Sequence, residues 1–143
     1  MSTSPAPSGE RRRSRERALE ILYEAELKEV AFDELLEQLP VAPEPYAARL
    51  VAGIERRLGR IDDLLDAHAT GWPIERMPAI DRCLLRIACY ELMEEAEVPT
   101  AVIIDEAVDL AKEFSTEDSG RYVNGVLSAV AAALRPATRE VAQ

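Results

Sequence analysis

Five arginines stand within seven positions near the start of the chain, in the segment RRRSRER at residues 11–17. Guanidinium groups match the geometry of phosphate and can also stack on nucleic-acid bases. Residues 1–17 carry a net charge of +3, whereas the whole chain carries −10. On a helix, side chains four positions apart lie one turn apart, so these arginines would form a fan of donors. The pattern predicts either a local nucleic-acid site or a solvated, salt-bridged helix end.

A second unusual segment is FSTEDSGRYVNGVLSAV at residues 114–130. The pair Asn124–Gly125 usually indicates a hairpin turn, but here it lies inside an unbroken helical pattern of apolar residues. We therefore predict a helix, in which Gly125 costs about 1 kcal/mol relative to alanine. Tight internal packing is the favoured reason for this glycine, and a partner backbone is the alternative. Asn124 is the better candidate for a contact.

The sequence carries no signature of catalysis. It has no glycine-rich phosphate loop, no GxSxG and no HExxH motif. His68 is the single histidine, so a zinc site is not expected. Cys83 and Cys89 would lie roughly 9 Å apart along a helix axis and on different faces, too far apart for a disulfide. We expect a protein without enzymatic activity, metal or cofactor, in the reducing cytoplasm.

The elements that must position these residues are helices. Apolar residues recur with helical spacing through most of the chain, and alanine, leucine, glutamate and arginine dominate the composition. The expected fold is all-α, with about seven helices in two small bundles that share one interface. The first helix is predicted from about residue 10 to 29, and the proline-rich stretch 40–45 is a linker.

The domain boundaries follow from the same patterns. One helical domain is expected at residues 10–135, between a disordered tail at 1–9 and a flexible C-terminal tail at 136–143. No apolar run is long enough to span a membrane, and the first residues do not have the form of a secretory signal.

Four segments together resemble the NusB family of transcription antitermination factors. They are RRRSRERALEILYEAEL, WPIERMPAIDRCLLRIACYEL, VPTAVIIDEAVDLAKEFS and EDSGRYVNGVL, and the resemblance covers about residues 10–135. It implies an all-α fold of two three-helix bundles and no enzymatic activity. It also implies binding of a boxA element in single-stranded nascent RNA together with the ribosomal protein NusE. Other Nus factors and RNA polymerase would complete an antitermination complex that supports transcription of ribosomal RNA operons.

The resemblance also assigns residues. The arginine-rich first helix would hold much of the RNA, and Tyr122 replaces a phenylalanine of the family, keeping a stacking ring while adding a hydroxyl. The predicted RNA-binding residues are Arg11, Arg12, Arg13, Arg15, Arg17, Tyr122 and Asn124. The predicted partner contacts are Arg86, Tyr90, Glu91 and Asp118.

Several alternatives remain at this point. Arg86, like Arg82, could extend the basic surface or pair with nearby acids. The acidic body could face the very basic ribosomal protein, and some members of the family form homodimers. A helical protein-binding adaptor with little RNA contact is the main rival function. A helix-turn-helix regulator is disfavoured because no late helix is basic, and 143 residues leave no room for the methyl-donor domain of the fused methyltransferases.

Overall fold

The computed structural model describes residues 8–136, and within that range the chain forms seven α-helices, one short 3-10 helix and no strands. The predicted all-α class and number of helices are confirmed. The α-helices are α1 Ser8–Lys28, α2 Phe32–Gln38, α3 Pro45–Arg56, α4 Leu58–His68, α5 Ala79–Glu94, α6 Thr100–Phe114 and α7 Glu117–Leu134, and the 3-10 helix is Ile74–Arg76.

Helix α5 is the shared centre of two bundles. Helices α1, α2 and α3 pack on one another, and helices α5, α6 and α7 do the same, with α4 against α5 and α7. Because α5 also packs on α1 and α3, the buried apolar side chains form one continuous core. Fully buried members from both bundles include Ile21, Leu22, Leu50, Ile54, Leu84, Leu85, Leu110 and Leu127.

Helix boundaries differ from the prediction by one or two residues. Helix α1 begins at Ser8, so Ser8 and Gly9 are helical rather than part of the predicted tail. Residues 1–7 and 137–143 lie outside the described part of the chain. The last helix is capped by Thr116, whose hydroxyl oxygen accepts the Ser119 backbone N–H at 3.0 Å. Ser115, one residue earlier, is still the C-terminal cap of α6, because its own N–H donates to the Ala111 carbonyl.

A cluster of ion pairs ties α1, α4 and α5 together. Glu26 of α1 accepts hydrogen bonds from Arg82 and Arg86 of α5, and Arg86 also donates to Asp62 of α4 at 2.8 and 2.9 Å. Arg86 is only 9% exposed. Its guanidinium is therefore engaged inside the protein, which leaves little of it for the predicted partner contact. The alternative interpretation, pairing with nearby acids, is the one that the structure supports.

The Glu26 cluster predicts sensitivity to acid. Burial alone would raise the pKa of Glu26, but hydrogen bonds and charges from Arg82 and Arg86 outweigh it and hold the pKa below its ordinary value of 4.5. A depressed pKa in the folded state stabilises the fold above the ordinary value, and this contribution is lost as pH falls through the folded-state pKa. We expect the Tm of the parent to fall as the pH is lowered from about 5 to about 2, and that of Glu26→Gln to fall less.

Comparing the two proteins isolates Glu26, because the other carboxylates titrate in both. Thermal melts across the pH series provide the measurement. An equal loss of Tm in parent and variant would show that Glu26 does not carry the acid sensitivity.

Candidate RNA-binding surface

The first turns of α1 and α3 face each other across a cavity of about 490 Å³. Proline at position 45 fixes the first turn of α3, and the N-cap residue Glu44 makes no side-chain bond to the helix. The positive end of α3 is therefore left without a side-chain cap, which favours an anion there. Three arginines and two glutamates provide the charged lining: Glu10, Arg11, Arg13, Glu44 and Arg49.

Tyr46 forms the aromatic wall of this cavity. The Cζ atoms of Arg11 and Arg49 lie 4.7 and 5.1 Å from the centre of its ring, within the range of cation–π contact. Arg11 is 8% exposed, and its Nε has no hydrogen-bond partner among the described residues. The ring thus holds the Arg11 guanidinium beside the cavity, with a buried Nε that has no hydrogen-bond partner within residues 8–136. This arrangement can bind a phosphate or another small oxyanion.

Arg49 is a site residue that sequence reasoning missed. It lines the cavity and also donates to Glu95 through two bonds of 3.0 Å. Its position three residues after Tyr46, just beyond the proline-rich linker, places both on one face of a helix. That spacing was the only available signal, and it is too common to identify a site alone.

Arg15 and Glu91, which were predicted as an RNA contact and a partner contact, are joined in the interior. Arg15 Nε and Nη2 donate to the Glu91 carboxylate at 2.9 and 2.8 Å, and the two residues are 2% and 1% exposed. The Tyr46 hydroxyl donates to the same carboxylate at 2.5 Å. Burial and the Glu91 charge raise the pKa of Tyr46, so its hydroxyl stays a neutral donor. Arg15 thus serves as a structural cation, and the Glu91 carboxylate is engaged inside the protein.

Tyr90, which was predicted as a partner contact, is also a packing residue. Its side chain is 4% exposed and lies against Gly53 of α3, so its partner contact stays a prediction. A Cβ atom added at Gly53 would come within 2.3 Å of the Tyr90 ring. The segment YEL at residues 90–92 therefore packs in the interface between α3 and α5. This internal packing accounts for its aromatic and acidic residues without a protein partner.

The remaining arginines of α1 differ in their surroundings. Arg13 is exposed and lines the cavity, whereas Arg17 is partly exposed and bonds Glu20 in its own helix at 3.0 Å. Arg12 is turned toward α6 and is surrounded by carboxylates. Burial alone would lower the pKa of Arg12, but nearby glutamates raise it above its ordinary value. Arg11 and Arg13 are thus the members of the fan that face the cavity.

A second surface lies on α7, where a groove of about 370 Å³ runs beside Tyr122 and Gly125. Tyr122 is half-buried, with its ring edge-on to Trp72 at 5.1 Å, and Asn124 is exposed. A Cβ at Gly125 would meet nothing within 4 Å, so the expected tight internal packing is wrong. The missing side chain instead keeps the groove open. Asp118 is exposed and pairs with Arg121 at the surface.

The two surfaces are anchored at different levels of α5. Glu91 holds α1 near the end of α5, whereas Asp81 holds α7 near its start by accepting the Ser119 hydroxyl at 2.8 Å. Ten residues of helix separate these anchors, about 15 Å along the axis. The structure therefore does not gather all the predicted RNA contacts at one point, and a ligand that touched both surfaces would have to be extended.

Other kinds of site are not supported within residues 8–136. No group of three or more histidine, cysteine, aspartate or glutamate side chains in that range is placed to hold a metal ion. Cys83 and Cys89 are buried thiols whose pKa burial raises to about 12. No α-helix in the described part of the chain is long and apolar enough to cross a membrane.

Comparison with known proteins adds the family to this geometry. The model of the NusB family matches residues 12–132. The transcription antitermination protein NusB of Salinispora arenicola (strain CNS-205) is 44% identical over 128 residues, 85% of this chain and 94% of that protein. The protein of the same name from Saccharopolyspora erythraea is 46% identical over 129 residues, 86% and 87% of the two chains.

Solved structures show the same fold. The structure of T. maritima NusB superposes with a TM-score of 0.80 at 34% identity, over 96% of this chain and 97% of that one. A structure of the antitermination factors NusB and NusE in complex with double-stranded RNA gives a TM-score of 0.73 at 29% identity, over 86% and 96% of the chains.

Proposed function

The chain belongs to the NusB family, and on that premise we propose that it binds boxA-type single-stranded RNA together with the ribosomal protein NusE in transcription antitermination. The observation that carries this proposal is the cavity between α1 and α3. There Arg11 is held against the Tyr46 ring with an unpartnered donor, beside the exposed Arg13. Such a cavity suits the phosphate of a nucleic-acid backbone.

The groove on α7 would supply the contacts that depend on sequence. Single-stranded RNA is read by bases that stack on aromatic rings and form hydrogen bonds at their edges. Tyr122 offers a partly exposed ring, Asn124 an exposed amide, and Gly125 leaves room for a base beside them. Phosphate contact in the cavity and base contact at the groove would together require an extended RNA strand across α5.

The protein partner would meet an acidic surface. The chain carries a net charge of −10, and NusE in the related complex is the expected basic partner. Because Glu91 is buried, exposed carboxylates such as Asp118 would have to provide the attraction. Other Nus factors and RNA polymerase would join this assembly in the cytoplasm, and a homodimer is a further assembly that the proposal allows.

A helical protein-binding adaptor is the second candidate, because part of the arginine fan is already neutralised. Arg12, Arg15 and Arg17 all lie within ion-pair distance of carboxylates of this chain. If these arginines served only to form such ion pairs, RNA contact would be minor.

Fluorescence anisotropy with labelled RNA separates the two candidates. The titrations would use single-stranded boxA RNA, a scrambled strand and a boxA duplex, each with and without NusE, at about 50 and 200 mM salt. We expect the single-stranded boxA RNA to bind most tightly, and binding to weaken with salt. No binding of any RNA at the lower salt, with or without NusE, would favour the adaptor. Equal affinities for all three RNAs would contradict the preference for single-stranded boxA RNA.

Removing the Asn124 amide should reduce discrimination more than affinity for RNA in general. We expect Asn124→Ala to narrow the ratio between boxA and scrambled RNA by about threefold to tenfold, the value of one hydrogen bond. The same titrations provide the measurement. Gln38→Ala, which removes an exposed amide from α2, is the matched control. An unchanged ratio for Asn124→Ala would exclude this side chain from base contact.

A further inference from the structure

Arg12 belongs to the arginine fan, yet all three of its guanidinium nitrogens already face carboxylates. Nη2 lies 3.1 Å from Glu113, and Nη1 lies 3.5 Å from Glu106 and 3.9 Å from Asp109. Nε lies 3.3 Å from Glu16, one turn along α1. The other three carboxylates all stand on α6. Helix α6 therefore presents to Arg12 the same kind of ligand that an RNA backbone would present.

These carboxylates differ in how firmly they are built into the protein. Asp109 and Glu113 have side chains that are 60% and 55% exposed, so their pairs with Arg12 are surface ion pairs, which are individually weak. Glu106 is 22% exposed and also lies 3.7 Å from the buried Arg15, so it belongs to the internal network. The two exposed pairs can open without disturbing the core.

An RNA phosphate that approaches Arg12 would meet two obstacles from α6. The donors it needs are engaged, and the nearby negative charges repel it. Arg13 lines the neighbouring cavity and forms no ion pair within residues 8–136. Arg11 and Arg13 therefore face the cavity, whereas Arg12 must be released from its ion pairs before it can bind a phosphate.

We propose that Asp109 and Glu113 act as intramolecular competitors of RNA phosphate for Arg12 and so set the RNA affinity below what the arginine fan could reach. This inference rests on the proposed function. It assigns to two acidic residues of α6 a positioning role, exerted through Arg12, in the strength of RNA binding.

The test is a gain of affinity. We expect the double variant D109N/E113Q to bind single-stranded boxA RNA about threefold to tenfold more tightly than the parent at low salt, since two surface ion pairs are removed from the competition. The variant D63N/E37Q removes the same charge from exposed positions on α4 and α2 and is the matched control. Thermal melts would show that both variants remain folded.

The gain must also depend on Arg12. In an Arg12→Ala background, D109N/E113Q should tighten RNA binding no more than D63N/E37Q does. A gain of equal size in the control, or one that persists without Arg12, would overturn the proposal in favour of a general charge effect. If the parent binds RNA and D109N/E113Q gains nothing, only this inference fails. If the parent binds no RNA at low salt, the proposed function fails with it.

Discussion

Alanine at both Arg11 and Arg13 is expected to weaken binding of boxA RNA by more than about tenfold at low salt. Each arginine offers the cavity a charge-assisted hydrogen bond, and such bonds contribute about 1.5–3 kcal/mol. Each phosphate contact with a single strand also contributes about −0.7 to the slope of log affinity against log salt concentration. The double variant should therefore flatten that slope by about 1.4, and weaken boxA and scrambled RNA alike.

A matched pair of arginines controls for the loss of charge. Arg56 and Arg60 are exposed at the end of α3 and in α4, and R56A/R60A removes the same two charges. Because Arg11 also packs on Tyr46, Arg13→Ala alone provides a variant that removes no buried contact. Parent-like affinity and slope in R11A/R13A would mean that the cavity does not hold phosphate.

Glu91→Ala is expected to have the largest effect on stability, lowering the free energy of unfolding by about 3–5 kcal/mol. The substitution removes the carboxylate that binds Arg15 directly, leaving only Glu106 at 3.7 Å, and it removes the acceptor of the Tyr46 hydroxyl. Removing one partner of a buried pair costs more than the pair itself contributes, because an uncompensated charge remains. Urea unfolding followed by circular dichroism provides the measurement.

Removing both charges provides the control for this second prediction. In R15M/E91L the buried pair is replaced by apolar side chains of similar length, and much of the lost stability should return. A Glu91→Ala protein within about 1 kcal/mol of the parent would contradict the account of Glu91 as the hub of a buried network.

The helices could be predicted because their apolar residues repeat with the period of a helix. Ile21, Leu22, Leu84 and Leu127 belong to such repeats, and all are buried. The start of α7 is harder to predict, because Ser115 and Thr116 are both good capping residues and only the end of α6 decides between them.

The roles of the arginines could not be predicted, because their partners are distant in the sequence. Arg15 and Glu91 are 76 positions apart, and Arg12 and Glu113 are 101 positions apart. Neighbouring arginines of one charged segment thus have different roles: one forms a buried ion pair, one joins a surface cluster of ion pairs, and two line the cavity. Periodicity places a residue on a helix face, but tertiary packing decides what that face meets.

Tyr90 and Gly125 also show that sequence alone does not determine whether a residue packs internally or lies at the surface. An aromatic residue in a distinctive segment was expected at a partner interface, yet Tyr90 fills the space that Gly53 leaves inside the protein. A helical glycine was expected in tight packing, yet Gly125 borders an open groove. In both cases the residue type was informative, but only its surroundings could tell internal packing from surface contact.

A titration of the ¹⁵N-labelled protein with single-stranded boxA RNA, followed by amide chemical shifts, tests the central claim most directly. The claim is that one RNA strand contacts both the cavity between α1 and α3 and the groove on α7. The account predicts concerted shifts at residues 10–14, 44–49 and 121–125, with little change in α2. An absence of shifts at the cavity or at the groove while the RNA binds would contradict it.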